Sequence, residues 1–214
     1  MSGIIGYWAQ TWLGEPPHPP TNANVGIAFS GWTNVDNALS ESAAIHDSLQ
    51  GAKYISLGGG NENGSFSAAA VQNITAAIQA GRFSAYDGIA YDVEEGEGGL
   101  SQWFAESFSV AKAKGLKVIV TVSHSAPYGV PDAAALMQSF FTDSNIDYLS
   151  PQLYTSGSET ENDFTPGVVP WSDYAKSRAP IVPSIVTANL YPSAQQFFAD
   201  LGIATAGFIQ WNNG

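Results

Sequence analysis

The chain has 214 residues, of which 44% are hydrophobic and only 12% charged, enough apolar side chain for one substantial core. Its formal net charge of −12 argues against nucleic acid and anionic membrane surfaces as partners, and no apolar run is long enough to span a bilayer. There is no cysteine, which rules out disulfides, thiolate metal ligation and a cysteine nucleophile; His18, His46 and His124 lack metal-ligand spacing.

Strand-like apolar runs recur along the whole chain. The first, over 3–8, follows the start of the chain almost at once, so no signal peptide is expected in this sequence. A cytoplasmic location or a mature secreted form follows from that. The link 9–24 is rich in proline and predicts no helix. A second strand is expected at 25–30, then a helix over 36–50 carrying Leu39, Ala43, Ile45 and Leu49. A third strand at 53–58 leads to a helix over 67–80, with Ala70, Val71, Ile74, Ala77 and Ile78 at helical spacing. A fourth strand at 87–94 is followed by a helix over 100–114 that closes on Gly115. A fifth at 117–123 is followed by a helix over 131–142, opened by Pro131 and Asp132. The last strands are expected at 146–154, 181–187 and 205–211, with helices at 171–178 and 193–201 between them.

Eight strands alternating with about seven helices predict a compact (β/α)8 TIM barrel, one α/β domain over residues 1–214 with no inserted domain. An open doubly wound sheet is the competing architecture. It is weakened because Gly58-Gly59-Gly60 runs into Asn61-Glu62-Asn63-Gly64, without the lysine or glycine spacing of a phosphate loop.

The fourth strand, Tyr86-Asp87-Gly88-Ile89-Ala90-Tyr91-Asp92-Val93-Glu94-Glu95, carries the chemistry. Alternation puts Ala90, Asp92 and Glu94 on one face and Asp87 on the other, where it is expected to hold the preceding turn. At a strand rise of about 3.3 Å per residue, Asp92 and Glu94 are rooted roughly 6–7 Å apart, so each raises the other's proton affinity. The bland alternative is an acidic strand end running into the solvated loop Glu95-Gly96-Glu97-Gly98-Gly99.

This strand resembles the fourth-strand motif of glycoside hydrolase family 18, the chitinases and endo-β-N-acetylglucosaminidases. The family pattern Asp-x-x-Asp-x-Asp-x-Glu reads here as Asp87, Ala90, Asp92 and Glu94, with alanine at the second acidic position. Gly6-Tyr7-Trp8, Ile27-Ala28-Phe29 and Tyr54-Ile55-Ser56-Leu57-Gly58-Gly59-Gly60 are similar to its first three strands. Pro151-Gln152-Leu153-Tyr154 is similar to its sixth, and Gly207-Phe208-Ile209-Gln210-Trp211 to its last. The resemblance covers nearly the whole chain.

What the resemblance implies is a substrate-assisted hydrolase of β-1,4-linked N-acetylglucosamine, the exception among glycosidases in which the substrate's own acetamide attacks. Glu94 would be the acid and later the base, Asp92 would orient the acetamide, and Tyr154 would donate to the acetamide oxygen. Trp211 would floor the sugar site, with Tyr7, Phe29, Gln152, Gly58 and Gly59 around the substrate. Ser123, His124, Asn189, Tyr191 and Trp32 are further subsite candidates at strand ends. Alanine at position 90 would leave Asp92 more often ionised and less firmly aimed. No cofactor or metal is implied, and the expected partner is chitin or another N-acetylglucosamine oligosaccharide bound by a monomer.

The short link after the seventh strand leaves the groove open, which favours internal cleavage. An endo-β-N-acetylglucosaminidase acting on N-glycan chitobiose cores fits the same residues. A non-catalytic, lectin-like or inhibitory barrel is favoured by Ala90 and disfavoured by Glu94. A barrel acting on sugars without an acetamide would need a second carboxylate, and Glu15, Glu62, Glu97 and Glu159 lie in loops.

Overall fold

A computed structural model of the protein describes residues 3–13 and 18–212. Eight parallel strands, β1(Ile4–Gln10), β2(Val25–Phe29), β3(Ala52–Gly58), β4(Gly88–Val93), β5(Lys117–Ser123), β6(Tyr148–Gln152), β7(Ser184–Ile185) and β8(Gly207–Gln210), close into a barrel in sequence order. Five helices cover its outside: α1(Val35–Ala43), α2(Ala68–Gln79), α3(Ser101–Ala113), α4(Ala133–Thr142) and α5(Tyr191–Asp200). Asn34 and Ser67 start α1 and α2 by accepting the backbone N–H of Asn37 and Ala70, which satisfies donors that a first helical turn leaves free. No helix among the described residues is long and apolar enough to cross a membrane.

Alternation along each strand sorts the side chains into two cores. Ile55, Leu57, Ile89, Tyr91, Val93, Val118, Val120 and Val122 point outward and pack with Phe104, Phe108, Phe140 and Phe141 of the helices. Trp8, Ile27, Phe29, Tyr54, Ala90, Ile119, Val182 and Ile209 fill the barrel itself. Filling by bulky side chains makes the interior a solid plug, so a ligand reaches only the mouth where the strands end.

The N-terminal rim is fastened by side chains that accept from the neighbouring strand. Asn24 Oδ1 takes Ile5 N at 2.9 Å, Asp87 Oδ2 takes Lys53 N at 2.7 Å, and Asp147 Oδ2 takes Val118 N at 2.8 Å. Asp147 also receives Lys112 and Lys117. Asp87, expected to hold the turn before it, instead fastens the start of β3, on the far side of the barrel from the mouth.

Three elements differ from expectation. The predicted helix over 36–50 ends at Ala43 and a short 3-10 turn follows at His46–Ser48, where His46 is half-buried against Tyr86. The predicted helix over 171–178 is a 3-10 segment, Trp171–Lys176, that buries Trp171 and Tyr174 three residues apart, a spacing that suits the tighter helix. The seventh strand shrinks to two residues because Pro180 and Pro183 lack the N–H a ladder needs. The ladder there is correspondingly thin, one residue pair between β6 and β7 and two between β7 and β8, with Ile181 adding isolated bridges to Leu149 and Thr205.

Candidate active site

Strand β4 delivers both carboxyl groups to the mouth. Asp92 is 2% exposed and Glu94, one residue beyond the strand, is half-buried. Burial, the largest cause at each, raises the pKa of both, and the Glu94 charge beside Asp92 acts in the same direction there. Both values are raised, so the pair retains a proton at pH values where isolated carboxylates have lost theirs. Ala90 is fully buried in the barrel plug, and an apolar floor disfavours the charged form of the residue above it.

Gln152, at the end of β6, steadies the pair. Its Nε2 lies 3.2 Å from Asp92 Oδ1 and 3.4 Å from Glu94 Oε1, a bridging contact that partly offsets the rise at Glu94. The Gly60 backbone N–H nearby also pulls the Glu94 value down. A Cβ at Gly60 would stand 2.8 Å from Glu94 Oε2, so only glycine lets this loop approach so closely. Gly58 and Gly59, expected to touch substrate, instead shape the turn: both have φ in the left-handed range, at +98° and +149°, and it is Gly60 that reaches the carboxylate.

The cleft above the pair has a volume of about 220 Å³ and is lined by Trp12, Phe29, Gly60, Asn61, Asp92, Glu94, Gln152, Tyr154, Thr155, Ser156 and Trp211. Its aromatic wall is continuous. Phe29 packs edge-on against Trp12 at 5.6 Å and Trp211 at 5.3 Å, and Tyr154 lies 5.9 Å from Trp211 with the rings inclined by 30°. Tyr154 is 6% exposed, and its hydroxyl has no hydrogen bond of ordinary geometry. Burial, with the Asp92 and Glu94 charges, raises its pKa well above the phenol range; the nearby Ser184 opposes this only weakly. It therefore stays a neutral donor beside the carboxyl pair.

The structure thus brings Glu94, Asp92, Tyr154, Gln152, Phe29 and Trp211 together. Tyr7 is not among them. Successive strand residues face opposite sides, and Trp8 takes the inner face, donating its indole N–H to Ser184 Oγ at 3.0 Å. Tyr7 is turned outward, fully buried, with its hydroxyl accepting Gln50 N at 2.8 Å, so it has no surface for a ligand.

Most of the further subsite candidates also lie elsewhere. Trp32 donates to Glu41 on α1, Asn189 accepts from Thr187, and Tyr191 bonds Thr205 on the flank of β8. Ser123 and His124 line a separate cavity of about 750 Å³ beside the cleft, together with Tyr128, Pro131, Asp163 and Val168. There His124, at φ +49°, faces Asp163 at 3.1 Å.

The loop carboxylates are engaged with backbone. Glu159 accepts the N–H groups of Thr155, Ser156 and Gly157, and Glu97 accepts that of Ala68. Glu62 lines neither cavity, and Glu15 lies outside the described residues. No group of three or more histidine or acidic residues suited to a metal exists among the described residues. Trp12, Gly60 and Asn61 were not expected at the site. Only the unbroken run of three glycines hinted at one of them.

No family model matches the chain, and no curated protein matches it significantly. Among solved structures it is similar to the spore cortex-lytic enzyme SleL of Bacillus megaterium QM B1551, with a TM-score of 0.58 and 10% identity over 99% of this chain and 71% of that one. It also aligns with a type I 3-dehydroquinate dehydratase of Clostridium difficile, at a TM-score of 0.49 and 12% identity over 98% of this chain and 85% of the other. At such identities the likeness establishes the barrel, and the chemistry has to be argued from the side chains at its mouth.

Proposed function

We propose that the chain is a glycoside hydrolase that cuts β-1,4-linked N-acetylglucosamine by the substrate-assisted, retaining route of the family 18 enzymes. The observation that carries this reading is the pairing of Asp92 and Glu94 at the end of one strand, bridged by the Gln152 amide. Glycosidases that work with two independent carboxylates hold them about 5–5.5 Å apart when retaining and roughly 6.5–9.5 Å apart when inverting. Here both carboxyl groups come from one strand under one Gln152 amide, at 3.2 and 3.4 Å, and no further carboxylate lines the cleft among the described residues to face them across the cut. The nucleophile then has to come from the substrate.

In this mechanism Glu94 gives its proton to the glycosidic oxygen as the C1–O bond breaks. The acetamide oxygen bonds to C1 and forms an oxazolinium ion. Asp92 accepts the acetamide N–H and stabilises the positive charge, while Tyr154 donates to the acetamide oxygen. Glu94 then takes a proton from water as that water attacks C1, which restores the acetamide and retains the configuration. The indole of Trp211 packs beneath the N-acetyl group. The barrel shape shared with a cortex-lytic enzyme is compatible with this role.

Mass spectrometry of products from chitohexaose and a high-mannose glycopeptide is the direct test. Di- to tetrasaccharides from the first indicate a chitinase; a glycan one N-acetylglucosamine short from the second indicates the endo-glycosidase. Glu94→Gln is expected to lose roughly 10²–10⁴-fold in turnover and keep its ligand. A binding-only barrel, the reading that Ala90 favours, would leave both substrates whole and bind oligosaccharide equally well with Gln at 94.

A further inference from the structure

The large hydrophobic side chains that stand exposed among the described residues are Trp12, Leu13, Tyr128 and Val168. They fall at two places. Trp12 is 58% exposed at one wall of the carboxylate cleft, with Leu13 beside it. Tyr128 is 64% and Val168 71% exposed in the larger cavity, which meets the cleft at Thr155. Trp12 follows β1 and Tyr128 follows β5, and strand order puts β1 and β5 at opposite points of the ring. Both rings are held: Trp12 rests on Phe29, while Tyr128 bonds Glu95 through its hydroxyl and Ser123 Oγ through its N–H. Exposed aromatic faces held in place on either side of a reactive pair suit the flat faces of successive sugar rings.

Charge narrows the occupant. The loops that follow the C-terminal ends of the strands contain Glu62, Glu94, Glu95, Glu97, Asp132, Glu159, Glu161 and Asp163, and none of the seven Lys and Arg residues. No Lys or Arg lines either cavity. A carboxylated chain laid across this mouth meets only like charge.

Building on the function proposed above, we infer that Trp12 and Tyr128 are two platforms of one groove across the mouth. Its occupant is the interior of an uncharged or cationic amino-sugar polymer, chitin or its partly de-N-acetylated form, rather than a carboxylated glycan. Trp12 continues the Phe29–Trp211 wall and supports the sugars on the acetamide side of the cut. Tyr128, beside Glu94 and Glu95, supports the leaving chain.

The test uses Trp12→Ala, Tyr128→Ala and Tyr128→Phe against the tri- and hexasaccharides of N-acetylglucosamine, partly de-N-acetylated chitosan and hyaluronan. Each alanine variant is expected to raise KM for the hexasaccharide about tenfold with kcat little changed. The trisaccharide, which spans fewer of these contacts, should lose less than the hexasaccharide, Tyr128→Phe should lose less than Tyr128→Ala, and hyaluronan should survive. Affinities measured on Glu94→Gln proteins by tryptophan fluorescence should show the same tenfold loss without turnover. Unchanged hexasaccharide KM and affinity in both alanine variants, or hyaluronan cut as fast as chitosan, overturns the groove and leaves the proposed activity standing. A parent protein that neither cuts nor binds any of the N-acetylglucosamine chains overturns the activity and the groove with it.

Discussion

Ala90 sits fully buried one pleat below Asp92, in register with Ser56 on β3 and Ile119 on β5. The Ser56 hydroxyl and that of Thr121, which is in register with Asp92, are both buried without a partner. Two unpartnered hydroxyls around a methyl group can serve a carboxyl group placed there. Ala90→Asp is therefore expected to fold and to raise kcat roughly tenfold to hundredfold by fixing the aim of Asp92; a folded variant with no gain counts against the role given to Asp92. The carboxyl pair also has a stability consequence. Its folded pKa values are raised, so its contribution is intact below the ordinary carboxylate range and is lost as pH rises through the raised values. Glu94→Gln should then melt a few degrees above the parent at pH 7, since about 1 kcal/mol moves Tm by roughly 2–4 °C in a chain of this size. The gap should close towards about pH 3, where both carboxyl groups are protonated folded or unfolded. Glu159 behaves oppositely. Its partial burial is outweighed by the Ser156 and Thr155 N–H groups, which hold it at about 2, so the 155–159 turn loses that support as pH falls from about 4 towards 2.

At the scale of elements, the β3–α2 loop and the β6–β7–β8 join set the precision of the site. Gly60→Ala pushes against the tip of Glu94 and not against backbone, so the fold should tolerate it. If Glu94 has the role proposed for it, its displacement should lower kcat roughly tenfold to hundredfold with Tm nearly unchanged. The thin join predicts that amides of β7 exchange with solvent well before those of β4 and β5, which are paired along their length. Equal protection in hydrogen exchange would show that the Trp8–Ser184–Ser150 hydrogen bonds make up for the short ladder. Strand positions were legible because β-branched and aromatic residues recur at a steady interval. The shortness of β7 is written in Pro180 and Pro183, which apolar periodicity does not register. The face of Tyr7 was equally legible: Trp8 and Tyr7 cannot both point inward, and the larger ring takes the barrel interior. Loops were a different matter. Periodicity does not fix the path of 11–13 or 124–132, so Trp12 and Tyr128 gave no signal beyond being aromatic residues outside a strand.

At the scale of the molecule, barrel closure converts a linear order of strands into a ring, and this is how Glu94, Tyr154 and Trp211, far apart in sequence, come to line one cleft. The ring also separates charge. Lys53, Lys112, Lys114, Lys117, Lys176 and Arg178 lie where strands begin or helices end, and Arg82 is paired with Asp36 on the helical flank. The acidic loops at the opposite rim stand beside the positive ends of the helix dipoles, an arrangement that favours the helices as well. Such a molecule has a negative mouth and a base of mixed charge. Near a cationic polysaccharide it turns and arrives mouth first, and within a Debye length of about 8 Å at physiological salt its encounters are already aligned. Towards neutral chitin there is no such torque, and most collisions meet the wrong side of the barrel.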